Sequence, residues 1–296
     1  MVILTADQVL QNGLLYAGYS LQRQGRVKES TRMRRFCSHF GSLPIVYARL
    51  WQDLQTTEVD AARIFSHKMR DFKNFMMTLH HLKAYPLEDV LAGRFTVHEQ
   101  TARKWVKYYT EKIAALHMEK IIWPQDNEWD TIFIVSVDGV NFGMNEPRHP
   151  VLHKQKNYFD RKGGKAGVTY EIALHLWENQ VVWFNGPFPA NENNDAGFYQ
   201  TKGLADAVPE GKKVIGDKMY AGCPKCSTHN SLDSENVREF KRRARSRQES
   251  YNARLKSFGC LKQRFRHGLD NIDTYARAVA VLCVYQMENG SPLFAV

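Results

Sequence analysis

The chain has 296 residues, 43% of them hydrophobic and 24% charged, with a formal net charge of +10. That is enough for one large domain or two ordinary ones with real cores, and the composition is globular, not disordered, collagenous or membrane-embedded. The cation excess points to a polyanionic partner before a membrane, since no amphipathic anchor accompanies it; five scattered cysteines, an odd number, suit a reducing compartment better than a disulfide framework.

Residues 1–36 are polar, close on the basic run "RVKESTRMRR", and read as a basic, partly ordered arm. No charged segment there leads into a long apolar stretch, so no secretory signal is expected. Residues 37–125 carry apolar side chains at three- and four-residue steps, the period of helices. Within them "YPLEDVLAGRFTVHEQTARKWVKYYTEKI" reads as a helix-turn-helix: a short helix over 87–91 broken near Gly93, then a second opened by Thr96 or His98 with Glu99 near its positively polarised end. In such a unit the early polar residues of the second helix meet base edges in the major groove. Here these are Gln100, Thr101, Arg103 and Lys104, with Lys107 placed for a phosphate and Val97, Ala102, Trp105 and Val106 on the buried side. "WPQDNEWD", residues 123–130, reads as a linker.

Character changes over 126–296. "TIFIVSVDG" is a strand closed by Gly139, "GVTYEIALHLWENQVVWFNGPF" holds two more around the turn "ENQ", and "KKVIGDKMY" is a fourth that ends at an acid. Helices follow over 234–258 and 273–287, with a break at Gly259. The apolar stretch 278–285 is far short of the roughly 20 residues a membrane span needs. Strands first and helices after them fit an α/β fold with a mixed sheet flanked by helices.

The charge is concentrated. Residues 236–267 hold eleven Lys and Arg against two acids, Glu239 and Glu249. Within that helix, "KRRARSRQESYNARLKSF" raises the question of why one carboxylate, Glu249, sits among so many cations. Asp138 and Asp217 each follow a strand. Either alone has a plainer reading as a turn cap, but two strand-borne acids and one helix-borne acid can meet at one sheet edge. Three clustered carboxylates do not stay ionised together without a cation, and hard oxygen ligands favour Mg²⁺ or Mn²⁺. A pair of such ions activates an attacking oxygen and stabilises the leaving one in phosphodiester cleavage. Arg245, Asn252, Ala253 and Lys256 share the face of Glu249, so that this side, with Arg242, would grip backbone phosphates.

Other features have smaller readings. "CPKCSTH" offers half a zinc site in Cys223, Cys226 and His229, with Cys260 or His267 as a fourth ligand. Asp195, in "NENNDAGFY", reads as a helix cap, with a secondary active-site role as the alternative. Trp51, Trp105, Trp123, Trp177 and Trp183 read as packing, and "KRRARSR" doubles as a nuclear import signal.

The stretches "SVDGVNFGMNEPRHP", "TYEIAL", "VWFNGPFPA", "KKVIGDKMY", "RQESYNARLKSFGCLKQRFRHG" and "YQMENGSPLF" resemble the DDE-superfamily transposases of the PIF/Harbinger type, the DDE superfamily endonucleases, from about residue 40 to the end. The resemblance implies an RNase H-like core whose acids are Asp138, Asp217 and Glu249, preceded by an all-α region. It implies a nuclear enzyme that nicks DNA and transfers the freed 3′-hydroxyl, using two divalent ions and assembling as at least a dimer on DNA. A separate Myb-like DNA-binding partner is common among relatives. Two departures stand out. Met219 takes the place of the Gly before Tyr220, removing a residue suited to positive φ beside an acid. "NYFDRKGGKAGV" lacks an expected Ser-His-Lys stretch, although Lys162 and Lys165 keep its basic character. Hosts have retained many relatives as DNA-binding or adaptor proteins without cleavage, and Met219 is the feature that favours this alternative.

Overall fold

A computed structural model of the chain describes residues 3–20, 22, 25–56, 68–146, 157–160 and 163–296; Lys162 lies outside them. The chain divides into two compact units, Met1–Leu116 with Ser257–Cys260, and His117–Lys256 with Leu261–Val296.

The first unit is all helical: α1 (Ala6–Tyr16), α2 (Glu29–Phe40), α3 (Pro44–Thr56), α4 (Lys68–Ala84), α5 (Glu88–Phe95) and α6 (Glu99–Ala115). Where an arm is expected over 1–36, α1 and the start of α2 stand instead. Thr5 and Gln8 cap α1 reciprocally, satisfying two amide groups that a helix start leaves open, and α1 buries Val9, Leu10 and Leu14. Trp51 centres an aromatic core, its ring 5.3 Å from both Phe72 and Phe75 and 6.3 Å from Tyr109. Lys83 Nζ donates to the Ser257 carbonyl at 2.6 Å and lies over the Phe258 ring, which ties the late segment into this unit.

The helix-turn-helix differs from expectation at its turn. α5 runs through Gly93 to Phe95 and stops at Thr96, whose φ of 48° is left-handed. Burial of Leu91, Ala92 and Phe95 outweighs the roughly 1 kcal/mol that a helical glycine costs. His98 then caps α6 by accepting the Gln100 amide at 3.3 Å. Ala102 and Val106 are buried as expected, joined by Tyr109 and Ile113, while Val97 and Trp105 are half-buried.

The second unit is the expected mixed α/β fold, with an RNase H-like sheet flanked by helices. Its strands are β1 (Phe133–Gly143), β2 (Phe159–Asp160), β3 (Lys165–His175), β4 (Val181–Pro189), β5 (Lys213–Ile215) and β6 (Cys226–Ser227). The order runs β4-β3-β1-β5-β6, antiparallel across β4, β3 and β1 and parallel from β1 outward, with β2 also paired to β3. β3 is buried along almost its whole length, as a central strand must be. Its helices include α7 (His117–Lys120), α8 (Asp195–Thr201), α9 (Leu204–Ala207), α10 (Glu235–Leu255) and α11 (Leu269–Glu288). Among the described residues no helix is long and apolar enough to cross a membrane.

Residues 123–130 are not a loose linker. Gln125 and Glu128 cap a 3₁₀ turn reciprocally. Trp129 stacks on His175 with centroids 5.1 Å apart, and Trp123 packs on the same core as Trp183. Two tryptophans in eight residues outweigh the turn-forming Pro and Asn between them. Trp177 departs from the packing reading in the other sense: it is 54% exposed while stacking on Phe240.

In the first unit, His80 Nδ1 donates to the His39 carbonyl at 3.1 Å, and burial, then Arg94 and His39, push its pKa down to about 4. The folded state therefore refuses a proton that the unfolded chain accepts below about 6.5. Stability should fall as pH drops from about 6.5 to 4, by up to about 3 kcal/mol from this group. Denaturant melts across that range should show a shallower loss in His80→Gln; an unchanged slope would remove His80 as its source.

Candidate active site

The site grows from strand register. β1 and β5 run parallel and pair through Ser136 and Ile215. Asp138 and Asp217 each lie two residues beyond that pair, so they come level with each other. β5 ends at Ile215 while β1 continues to Gly143, leaving the flank of β1 that faced β5 open at the level of Asp138. Gly139 therefore does not close the strand, as the sequence suggests; Asp138 stands in the middle of it.

Helix α10 lies on the Ser136 and Asp138 face of β1. Ser136 Oγ donates to Gln248 Oε1 at 2.9 Å, and Gln248 Nε2 donates to the Ile172 carbonyl at 3.3 Å. One turn on, Asn252 Nδ2 donates to Asp138 Oδ2 at 2.7 Å, while Asp138 Oδ1 accepts the Gly139 amide at 2.9 Å. Both carboxylate oxygens are thus oriented. Glu249 occupies the adjoining exposed position on α10. Asp217 caps the 3₁₀ turn Lys218–Tyr220, accepting the Met219 amide at 2.8 Å.

The electrostatics bring in an acid that the sequence left in a lesser role. Burial raises the Asp138 carboxyl, then Asp195 and Asp217 raise it further, to about 7, against the lowering effect of the Gly139 amide and Asn252. Asp195 is not the helix cap: Asn194 caps α8, its Oδ1 accepting the Gly197 amide at 2.8 Å, and Asp195 is the first helical residue. Glu171, opposite Gly139 on β3, is 1% exposed. Burial pushes it up to about 8, although the Trp183 indole, donating to Oε2 at 3.0 Å, opposes the shift. Its signal in the sequence is an acid inside the otherwise apolar strand "TYEIAL".

Among the described residues no three His, Cys, Asp or Glu side chains stand at metal-ligating distance, Cys223, Cys226 and His229 included. Cys223 Sγ accepts from Gln200 Nε2 at 3.2 Å, and His267 stacks on Tyr275. The donor set around Asp138 nevertheless fits a hard divalent cation in its chemistry: oxygen ligands only, and mutual repulsion that a cation would relieve.

The expected DNA contacts divide. Gln100, Arg103, Lys104 and Lys107 share one exposed face of α6, whereas Thr101 is half-buried. Arg103 Nε donates to both Glu88 carboxylate oxygens at 3.2 Å, Lys107 lies 3.8 Å from Glu111, and Lys104 rests over the Trp105 ring. On α10, Arg242 pairs with Glu239, Lys256 is exposed, and half-buried Arg245 leaves its Nε without a partner. With His229, Arg238 and Lys241, Arg242 and Arg245 line a cleft. Lys241 itself and other cations of this helix are held in structural bonds. Arg247 donates to the His175 and Glu178 carbonyls, Arg243 to Ala295, Arg254 to Ser291, and Lys241 to Thr228 and Asp233.

Met219 does not need positive φ: among the described non-glycine residues only Tyr85, Thr96 and Lys225 have it. The position that cannot carry a side chain is Gly216, where a Cβ would lie 2.7 Å from the Tyr220 ring. The feature taken to favour a retained, non-cleaving scaffold loses its physical basis.

A family model described as DDE superfamily endonuclease matches residues 137–284, half of the chain. No curated protein and no solved structure matches it.

Asn252→Ala should cost about 1–3 kcal/mol in denaturant unfolding, the worth of a hydrogen bond to a charged, largely buried acceptor. A loss below about 0.5 kcal/mol would mean that Asn252 does not hold Asp138 in solution.

Proposed function

The chain belongs to the DDE superfamily endonucleases, and from that premise we propose a transposase of the PIF/Harbinger type that nicks DNA by phosphodiester hydrolysis and transfers the freed 3′-hydroxyl to a new strand. The observation that supports it most is that Asp138 and Asp217 each lie two residues beyond the last β1–β5 pair, Ser136 and Ile215, beneath a helix that carries Glu249 among cations.

Asp138, Asp217 and Glu249 are the residues proposed to hold divalent cations, two Mg²⁺ or Mn²⁺ ions. When bound, such ions activate the attacking oxygen and stabilise the leaving one. Asn252 and the Gly139 amide keep the Asp138 carboxylate aimed. Glu249, on an exposed position, has to turn inward to join them. Arg245 and Lys256, on its side of α10, and Arg242 hold the strand through its phosphates, which suits an open Nε on Arg245. The exposed face of α6 meets duplex DNA, with Gln100 and Lys104 its freest readers and Arg103 needing to leave Glu88 first. Assembly of two or more copies on DNA and recruitment of a Myb-like DNA-binding protein belong to the same proposal. So does action in the nucleus. It rests on the substrate; of the cations in the run Lys241 to Arg247, the first and last are buried, while Arg242 and Arg243 are exposed.

Purified protein with Mn²⁺ or Mg²⁺ should nick supercoiled plasmid, and Asp138→Asn and Glu249→Gln should each lower nicking roughly 100-fold or more while retaining DNA binding. Full cleavage in either variant would sink its assignment. Changing Lys107 to Ala should weaken binding across sequences and reduce the salt dependence by about one phosphate contact; an unaltered slope would take Lys107 off the DNA.

A further inference from the structure

We infer that Asp195 is a fourth acidic member of the cation-binding site, seated beside Asp138 in the notch that Gly139 leaves in β1. The inference rests on the nuclease reading and adds a residue to it.

The notch is the first ground. A Cβ at position 139 would lie 2.8 Å from Asp195 Cγ and closer still to Oδ1. Even alanine would drive the carboxylate away, so the absence of a side chain there is what admits an acid to the strand next to Asp138. Its place in α8 is the second. Asn194 already caps that helix, so the Asp195 carboxylate is not needed for capping. α8 also packs on the 3₁₀ turn that carries Asp217. One short helix therefore brings Asp195 toward both strand-borne acids.

The third ground is a polar group aimed into the cluster. Tyr220 belongs to that same 3₁₀ turn, its ring 5.9 Å from Tyr199 of α8. It is fully buried, and its hydroxyl has no hydrogen-bond partner. The charges acting on that hydroxyl are Asp195 first, then Glu171, Asp138 and Asp217. A buried orphan hydroxyl costs about 1–3 kcal/mol, and divalent ions such as Mg²⁺ keep several of their waters when bound by carboxylates. One such water on the Tyr220 oxygen would satisfy it.

The test is Mn²⁺ binding to the full-length protein without DNA, followed by the electron paramagnetic resonance signal of free Mn²⁺. Asp195→Asn keeps the shape and removes the charge; it should weaken binding about 10- to 100-fold. Gly139→Ala removes no ligand but expels the carboxylate, and should weaken binding comparably. Glu210→Gln, an exposed acid elsewhere in the unit, should leave it unchanged. Should Gly139→Ala fail to fold, the Tm gain that Mn²⁺ gives Asp195→Asn, compared with the wild-type gain, decides the matter, and it should be lost. Mn²⁺ binding by Asp195→Asn within about twofold of wild type would overturn the inference. If Asp138→Asn loses Mn²⁺ while Asp195→Asn keeps it, the nuclease reading stands and only the role of Asp195 falls. If the wild type takes up no Mn²⁺, both fall together.

Discussion

A carboxylate in the middle of a central strand is the constraint around which the second unit is arranged. Asp138 has β3 along one flank of β1 and α10 above it, so it is only half-exposed and less hydrated than a strand-end acid would be. Its charge has to be met locally, by the Gly139 amide on one oxygen and Asn252 on the other. Those two bonds do not offset burial and the neighbouring acids, and the carboxyl remains well above its ordinary range. A site strained in this way is stabilised by any group that brings positive charge. The same arrangement leaves the Asp138 carboxyl holding its proton more readily than a free carboxylate does.

Helix α10 is held by the same logic on a larger scale. Its cations do two kinds of work, separated by helical phase. Arg243, Arg247 and Arg254 donate to backbone carbonyls in the β3–β4 turn and the C-terminal tail. Arg247 is buried, and desolvation lowers its pKa to about 10, so its bonds to two carbonyls are what keep a guanidinium there. These contacts anchor the helix that supplies Gln248 and Asn252 to β1. Arg238, Arg242 and Arg245 point the other way, into a cleft. Charge used to fix the helix is not available to a ligand, and the net charge of the segment overstates its capacity for phosphate.

Much of the architecture is legible in the sequence because strands and helices carry their own periods. The β3–β4 pair, α10 and α11 fall within a few residues of where apolar spacing and turn residues put them. The turn "ENQ" between β3 and β4 is local chemistry. What is not legible is non-local. Nothing before Ala6 or after Tyr16 says that α1 will bury Leu10 and Leu14, and the tryptophans at 123 and 129 look like a linker until the sheet exists to receive them. At the site, the acids themselves can be picked out, but not their neighbours. That Asp138 and Asp217 are level depends on a parallel register between segments nearly eighty positions apart. Asp195 looks like a cap because the residue before it, Asn194, is an equally good one, and only the folded backbone decides between them. Glu171 could have been suspected, since a carboxylate inside an apolar strand needs a reason.

The Gly216-Asp217-Lys218-Met219-Tyr220 segment keeps its turn despite the departure at position 219. A missing glycine matters only if the backbone takes positive φ there or if something packs against Cα. At Met219 the backbone forms one turn of 3₁₀ helix, the side chain is 43% exposed, and neither condition holds. At Gly216 the second condition does hold, because the Tyr220 ring folds back onto it. That fold-back buries Tyr220 and carries its hydroxyl toward the acids, while the Asp217 cap fixes the start of the turn. The turn therefore depends on Gly216, Asp217 and Tyr220, and these three are intact. Position 219 faces outward, where the chain can vary without moving Asp217.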